Sequence, residues 1–169
     1  SWCGSIGPLA LPTSLSDQVA RLADVLASES GLVGLFGIDL VLDKESAWPI
    51  EINPRYTGSA EVIEMASGRS MIGRHLEAFG ESPVAPMGDH TTGTVHGKAV
   101  LYAPRAMQAS GLSECGPEWR LADVPQPGQL IDEGRPVCTV LATSGSIEDC
   151  RNVLEQAAGH LYQELASSE

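Results

Sequence analysis

The stretch that decides the fold is residues 34–61, GLFGIDLVLDKESAWPIEINPRYTGSAE. Two apolar runs flank a polar segment at residues 43–47, which predicts two β-strands joined by a short loop. Pro54 ends the second strand, because its nitrogen carries no hydrogen to donate to a neighbouring strand. The stretch therefore predicts an antiparallel β-hairpin that stops just before Arg55.

The side chains of this hairpin divide between two faces, because successive residues of a strand point to opposite sides. If the hairpin is centred near Glu45, Asp39 lies opposite Glu51. One face then carries a set of apolar side chains: Ile38, Leu40, Leu42, Ile50 and Ile52. The other face carries three oxygen-bearing side chains, those of Asp39, Glu51 and Asn53.

Two carboxylates and an amide at this spacing predict a site for a hard divalent cation. Cross-strand neighbours lie about 5 Å apart, and Mg²⁺ binds oxygen ligands, usually a few carboxylates together with substrate phosphates and waters. A bound cation would also offset the repulsion between Asp39 and Glu51. Arg55 continues the same alternation, and its fork of N–H donors suits phosphate or carboxylate oxygens. Free N–H groups at the start of the next helix, near Gly58 and Ser59, suit an anion as well.

A plainer interpretation is that the acids are solvated on an exposed sheet face and that the amide prepares a turn. Three features favour the cation site. The acids interrupt runs rich in Leu and Ile, Asp39 shares a face with the other two residues by register, and Arg55 with a glycine-bearing loop follows directly. Asp39, Glu51 and Asn53 are therefore the candidate metal ligands, and Arg55 is the candidate contact for a reacting anion.

The remaining pattern predicts an α+β fold with an antiparallel or mixed sheet and packed helices. Helices are expected from an N-cap at Ser14 to Gly31, from near Ser59 to Gly68, and over SMIGRHLEAF at residues 70–79. The first fourteen residues, SWCGSIGPLALPTS, are expected to form a loop from within a longer protein. We expect two domains, residues 1–88 with the hairpin and residues 89–169, a β-rich lobe that closes with a helix capped by Ser146.

The bulk composition restricts the class of function. The chain has 169 residues, of which 43% are hydrophobic and 19% charged, so it carries enough apolar side chains to form a core. Its formal net charge of −12 argues against a nucleic-acid partner, because a protein surface that binds nucleic acid requires clustered Lys and Arg. No apolar run approaches the ~18 residues that a membrane span needs, and we expect neither a membrane partner nor a signal peptide.

The cysteines and histidines are expected to be structural. Cys3, Cys115, Cys138 and Cys150 form no C-x-x-C pair, which is typical of reduced, mostly buried thiols in a cytoplasmic protein. His75 lies on a predicted helix face with Met71 and Ile72. His90 and His96 have no third ligand nearby in the sequence, so no metal site is expected there.

The residues of the hairpin carry a family resemblance. GLFGIDLVLD followed by WPIEINPRYTGSAEVIEMASG resembles the C-terminal half of the ATP-grasp nucleotide-binding fold, whose pattern is G-x-D/E, a short loop and an apolar E-x-N-x-R. The resemblance implies that Asp39, Glu51 and Asn53 bind Mg²⁺, or Mn²⁺, bridging the phosphates of ATP. It implies that Arg55 steadies an acyl-phosphate or a substrate carboxylate. The later stretch ADVPQPGQLIDEGRPVCTV, with the helix after it, is similar to the C-terminal lobe of biotin-carboxylase-like members.

The activity that the resemblance implies is that of an ATP-dependent ligase. ATP phosphorylates a carboxylate, and an amine or related nucleophile then displaces phosphate from the acyl-phosphate. The family grips the nucleotide with lysines and a glycine-rich loop of another lobe, but this sequence has no G-x-x-x-x-G-K-[ST] and only Lys44 and Lys98 as lysines. The implied partners are therefore ATP, a small carboxylate, an amine and the N-terminal lobes of the same protein.

We accordingly expect a fragment of an enzyme, which by itself binds Mg·ATP weakly and does not turn it over. Two other classes of function stay open at this point. The chain could be a non-catalytic ATP-grasp-like binding or interaction module, or a metal-binding regulatory lobe. A start codon near Ser1 would favour the module, whereas a Lys- and Gly-rich nucleotide lobe before Ser1 would favour the enzyme.

Overall fold

The computed structural model describes residues 4–86, 93–109, 111–112 and 117–167. It divides into two compact units, which we call the hairpin unit, Leu9–His90, and the sheet unit, Ser1–Pro8 with Thr91–Glu169. The described strands pair only in antiparallel fashion and occur together with helices, so the predicted α+β class is confirmed. Whether the units are separate domains that meet near residue 88 stays a prediction.

The described elements follow one another in this order: β1 Gly4–Gly7, α1 Thr13–Ser30, β2 Gly37–Leu42, β3 Ala47–Asn53, α2 Gly58–Ser67, α3 Met71–Glu77, β4 Val95–Tyr102, β5 Met107–Gln108, β6 Trp119–Ala122, β7 Leu130–Ile131, β8 Pro136–Ser144 and α4 Ile147–Ser167. Within the part of the chain that the structure describes, no helix combines the length and the apolar character that crossing a membrane requires.

The sheet unit contains a four-stranded antiparallel sheet in the order β1-β4-β8-β6, against which α4 packs. Ser146 caps α4 as predicted, since its Oγ accepts the N–H of Asp149 at 3.1 Å. One face of α4 is apolar, with Ala157, Leu161 and Leu165 buried in the core. At Gly97 the strand β4 approaches α4 so closely that a Cβ would lie 2.7 Å from Cys150 Sγ. Because glycine has no Cβ, Gly97 permits this close contact between the helix and the sheet.

The strand β1 contradicts the predicted N-terminal loop. Residues 4–7 form the edge strand of the sheet, where Gly4 pairs with Ala99 and Gly7 pairs with His96. The stretch GSIG is short and rich in small residues, so neither alternation nor strand propensity identifies it. Its pairing with a strand about 90 residues further along the chain is a tertiary event that local patterns do not report.

In the hairpin unit the helices lie where the sequence predicts them, with one correction. The N-cap of α1 is Pro12 and not Ser14, because the carbonyl oxygen of Pro12 accepts the N–H groups of Leu15 and Ser16 at 3.0 Å. The fixed φ of proline, here −54°, suits a helix start without a capping side chain. Gly31, with φ +62°, ends α1 in the left-handed conformation, as predicted.

The two following helices agree with the prediction as well. Gly68, with φ +62°, ends α2, and its N–H donates to Glu64 O at 2.9 Å. Ser70 caps α3, since its Oγ accepts the N–H of Gly73 at 3.0 Å. These contacts fix the turn that joins α2 to α3, and α2 itself follows the loop that carries Arg55.

Candidate functional site

The hairpin of β2 and β3 places Asp39 directly opposite Glu51, as the sequence predicts. Gly37 pairs with Asn53 one step further along the same face, so Asp39, Glu51 and Asn53 share that face. The loop spans residues 43–46, one residue shorter than predicted, because β3 already begins at Ala47. The three candidate ligands are thus brought together by strand register alone.

The register of the hairpin shifts by one residue beside the site. Leu40 pairs with Pro49 and not with Ile50, so Ile50 is the extra residue of a β-bulge. The predicted register, centred at Glu45, thus holds for Asp39 and Glu51 and fails between the bulge and the loop. Ile50 is 67% exposed and Ile52 is 40% exposed. Pro49 cannot donate a ladder hydrogen bond, which makes a bulge beside it an expected irregularity.

Side chains at the hairpin tip keep the two strands in this register. Asp43 Oδ1 accepts the N–H groups of Glu45 and Ser46 at 2.8 Å, and its Oδ2 accepts the indole N–H of Trp48 at 3.1 Å. These hydrogen bonds, the one from Glu45 most of all, lower the pKa of Asp43. From α1, Gln18 donates to Glu45 O at 2.7 Å and accepts from Ala47 N at 3.3 Å. A loop held at both ends resists slippage, which would turn the acids to the opposite face.

Asn53 is the buried member of the candidate site, with a side chain that is 7% exposed. Its Nδ2 lies 3.5 Å from Asp39 Oδ2, and its Oδ1 accepts a hydrogen bond from Arg55 Nη2 at 3.0 Å. Arg55 also donates from Nη1 to Tyr56 O at 3.3 Å. Asp39, Asn53 and Arg55 therefore form one connected chain of polar contacts, while Glu51 lies exposed on β3, two residues before Asn53.

Sequence reasoning missed two residues beside this chain, Tyr56 and Glu64. Tyr56 Oη donates to Glu64 Oε2 at 2.6 Å, and Glu64 Oε1 accepts the N–H of Met71 at 2.6 Å. Burial and the hydrogen bond to Glu64 raise the pKa of Tyr56 above its usual value. A glutamate on a helix and a tyrosine eight positions earlier match no known spacing rule, so the sequence gives no signal for this pair.

The structure describes His75, His96 and two of the four cysteines. His75 Nδ1 accepts the N–H of Leu35 at 3.0 Å, which is a structural contact between α3 and the approach to β2. His96 lies between the hydroxyls of Thr94 and Thr143, and His90 lies outside the described residues. Cys138 and Cys150 are free and buried, whereas Cys3 and Cys115 lie outside the described part. Burial raises the pKa of Cys138 to about 11, so its thiol is protonated and unreactive at neutral pH.

No group of three or more His, Cys, Asp and Glu side chains in the described ranges could hold a metal ion. A cation site at the hairpin would therefore consist of the carboxylates of Asp39 and Glu51 and the amide of Asn53. It would be completed by ligands from outside these residues, such as phosphate oxygens and water, which is the usual pattern for Mg²⁺.

Comparisons with known proteins found similar sequences and similar folds. Residues 1–59, which include all four candidate site residues, match the family model described as an ATP-grasp domain. An uncharacterized protein of Methanocaldococcus jannaschii is 24% identical over 127 residues, which cover 75% of this chain and 30% of that protein. A formate-dependent phosphoribosylglycinamide formyltransferase of Geobacter metallireducens is 24% identical over 153 residues, which cover 89% of this chain and 38% of that protein.

Among solved structures, the biotin carboxylase domain of a Hydrogenobacter thermophilus 2-oxoglutarate carboxylase has the same fold, with a TM-score of 0.69 at 17% identity. The match covers 91% of this chain and 37% of the carboxylase domain. The chain thus spans well under half the length of each of these three proteins. Residues 1–59, with the hairpin, are thus similar in sequence to an ATP-grasp domain, and the chain shares its fold with the carboxylase domain.

Proposed function

We propose that this chain supplies the metal- and phosphate-binding part of an ATP-dependent ligase, which joins a carboxylate to an amine or related nucleophile through an acyl-phosphate. The observation that carries the proposal is the pairing of Asp39 with Glu51, which sets two carboxylates opposite each other on one face of the hairpin. Like charges directly opposite each other destabilise a strand pair unless another group neutralises them. A shared cation would explain why both acids stand there.

The donor set suits Mg²⁺ or Mn²⁺. Carboxylate and amide oxygens are hard ligands, and the site would leave positions for phosphate oxygens and water. Neither Asp39 nor Glu51 forms a salt bridge with another described residue, so both carboxylates keep lone pairs for a cation. When bound, the cation would neutralise charge on the phosphates of ATP during phosphoryl transfer.

The amide of Asn53 connects the acids to Arg55. In the structure its nitrogen faces Asp39, and its oxygen accepts from Arg55. Ligation beside Asp39 would require the amide oxygen on that side, and a half-turn of the terminal amide exchanges the two atoms. The same rotation would withdraw the acceptor from Arg55. Occupancy of the cation site would therefore free the guanidinium for an anion.

In the proposed reaction a carboxylate oxygen attacks the γ-phosphorus of ATP, and ADP leaves. An amine nitrogen then attacks the acyl carbon, phosphate leaves, and the nitrogen gives up a proton. Arg55 would hold the carboxylate, and afterwards the acyl-phosphate, by charge-assisted hydrogen bonds that strengthen as negative charge develops. No side chain has to act as a nucleophile in this sequence of steps.

The relatives support these ligand classes. One is named for its dependence on formate, and the carboxylase domain was solved in complex with the magnesium salt of ADP and with bicarbonate. Because the chain spans less than half of either protein, we propose that further lobes of the same protein complete the nucleotide site. The buried free thiols of Cys138 and Cys150 accord with a cytoplasmic protein, as the sequence predicts.

The experiment is ATP turnover by the full-length protein, measured as phosphate release with a panel of carboxylates and amines, beginning with formate and bicarbonate. We expect turnover that needs Mg²⁺ or Mn²⁺ together with one carboxylate. Glu51→Gln should remove it and leave the folded fraction unchanged, because the carboxylate is exposed and serves the cation rather than packing.

Glu45→Gln is the matched control, because Glu45 lies exposed in the loop of the same hairpin, away from the acid pair. It should keep full activity. An active Glu51→Gln variant would contradict the metal assignment. A full-length protein that binds Mg·ATP yet never turns it over would favour the non-catalytic module instead.

A further inference from the structure

The carboxylate of Glu64 joins two segments that are distant in the sequence. Glu64 belongs to α2, and each of its oxygens has one donor at 2.6 Å, the hydroxyl of Tyr56 and the N–H of Met71. All three residues are partly buried. Glu64 thus ties the loop after β3 to the start of α3 by two short hydrogen bonds to a single charged group, the stronger kind of hydrogen bond.

The loop that Glu64 holds is the one that carries Arg55. Arg55 is exposed, and its guanidinium depends on two acceptors, Asn53 Oδ1 at 3.0 Å and Tyr56 O at 3.3 Å. An arginine side chain has many rotamers when free, so the guanidinium stays in one place only where its acceptors are themselves fixed. Asn53 is fixed by burial at the end of β3, whereas the carbonyl of Tyr56 lies in irregular backbone.

Thr57, the residue after this carbonyl, has contacts of its own: its carbonyl oxygen accepts the N–H of Ala60 at 3.0 Å, and its hydroxyl lies 3.0 Å from Ser59 Oγ. Thr57 is the N-cap of α2, but its side chain makes no capping hydrogen bond. The Arg55 N–H donates to Asn53 O at 2.8 Å, which fixes the first half of the loop and not the second. The hydrogen bond from the Tyr56 hydroxyl to Glu64, at 2.6 Å, is the side-chain contact that restrains Tyr56 itself, the residue whose carbonyl oxygen accepts from Arg55. Because the pKa of Tyr56 is raised, its hydroxyl remains a donor over the whole physiological pH range.

We propose that Glu64 is a positioning residue, which acts through Tyr56 to hold the Arg55 guanidinium where it meets the reacting anion. The proposal rests on the proposed function of Arg55, but its structural half, the dependence of Arg55 on Glu64, stands apart from any reaction. A solely structural Glu64 would stabilise the joint of α2 and α3 without influence on the arginine.

The first test observes Arg55 directly. In the full-length protein labelled with ¹⁵N-arginine, the Nε–Hε signal of Arg55 is assigned by its loss in Arg55→Lys. We expect that signal to shift or broaden in Tyr56→Phe and in Glu64→Ala. Glu77→Gln is the matched control, since Glu77 likewise receives a backbone N–H, that of Val84 at 3.2 Å, and a side-chain donor, Arg74 at 3.0 Å. An Arg55 signal that stays unchanged in Tyr56→Phe overturns the proposal.

The second test uses turnover with the carboxylate that the panel identifies. Tyr56→Phe keeps the ring and removes one hydroxyl, so it tests the idea even if Glu64→Ala fails to fold. We expect kcat to fall roughly tenfold, since small displacements of a reacting group cost that much or more, with the KM for ATP nearly unchanged. Glu77→Gln should leave both parameters at the wild-type level.

In an Arg55→Lys background, Tyr56→Phe should cost little more, because its effect passes through Arg55. A full additional loss in that background, or an unchanged kcat in the single variant, overturns the proposal. If the wild-type protein has no turnover with any member of the panel, the proposed function fails. The Arg55 signal then still decides whether Glu64 positions the arginine.

Discussion

Each of the two units of this chain is stabilised internally in a different way. In the sheet unit, α4 covers the four-stranded sheet. Almost all of the large, fully buried side chains belong to this unit: Leu101, Leu154, Leu161, Val140, Cys138 and Cys150. In the hairpin unit, Val62 alone of the described side chains reaches that degree of burial. The sheet unit is therefore stabilised mainly by a hydrophobic core, whereas the hairpin unit needs other interactions.

Polar contacts take the place of a core in the hairpin unit. Asp43 and Gln18 hold the hairpin tip, His75 accepts from the backbone before β2, and Glu64 joins the loop after β3 to α3. Each such hydrogen bond contributes about 0.5–1.5 kcal/mol, less than a buried leucine. Hydrogen bonds are directional and so determine where side chains lie, whereas apolar burial mainly contributes to the stability of the folded state.

The hairpin unit also exposes much apolar surface. Large hydrophobic side chains more than half exposed include those of Val41, Trp48, Ile50 and Phe79. A two-stranded sheet is only marginally stable in water by itself, and contiguous exposed apolar residues mark contact surfaces. The unit bearing the candidate site is thus the less self-sufficient one, in keeping with the proposal that further lobes complete it.

The largest effect should come from Leu154→Ala in the sheet unit. The Leu154 side chain is fully buried, so its loss leaves a cavity and should lower the free energy of unfolding by about 2–5 kcal/mol. Leu76→Ala in the hairpin unit is the matched control, because Leu76 is 43% exposed and should cost far less. Urea unfolding of the 169-residue chain measures both, and equal losses would contradict the contrast between the units.

A smaller effect is expected for Gly97→Ala. The new methyl group would lie 2.7 Å from Cys150 Sγ and 2.9 Å from Leu154 Cδ1, so α4 must move or the core must rearrange. Overpacking of this kind costs about 1–3 kcal/mol. Gly145→Ala, at a position with no atom within 4 Å of the added Cβ, should be close to neutral. A thermal melt in which both variants match the wild type would show that the helix and sheet are loosely packed.

His96 should make the sheet unit weakly sensitive to acid. Burial lowers the pKa of His96 below its ordinary 6.5, so the folded protein disfavours the proton that the unfolded chain accepts. Stability should therefore decrease as the pH falls below about 6.5 and level off once the folded pKa is passed. The slope of unfolding free energy against pH over this window should be shallower in His96→Gln. An unchanged slope would assign the acid sensitivity to other groups.

The smallest effect in the 169-residue chain should be that of Ile50→Thr. This side chain is 67% exposed, so its replacement should change the free energy of unfolding by less than about 0.5 kcal/mol. Ile131→Thr, at a residue 6% exposed in the sheet unit, should cost clearly more. In the full-length protein Ile50→Thr should become more costly, because we expect other lobes to cover the hairpin. An equally small effect in the full-length protein would show that the hairpin surface around Ile50 stays exposed to solvent.

Local patterns predicted much of the hairpin unit and the start of α4 in the sheet unit. The opposition of Asp39 and Glu51 follows from the alternation of two short strands around a polar loop, and it is present in the structure. The stops at Gly31 and Gly68 and the cap at Ser146 follow from residue types with well-defined conformational preferences. Alternation failed at Ile50, because the bulge depends on how Pro49 fits the opposite strand.

The sequence by itself determined the fold class, the hairpin and the four candidate site residues, because periodicity, turns and caps act over a few neighbouring positions. Only the tertiary structure decided that residues 4–7 form an edge strand, that His75 holds the approach to β2, and that Tyr56 meets Glu64. The β1 and His75 contacts join residues some forty to ninety positions apart. The Tyr56–Glu64 contact spans a loop and two helical turns, and no local preference of either residue specifies such a partner.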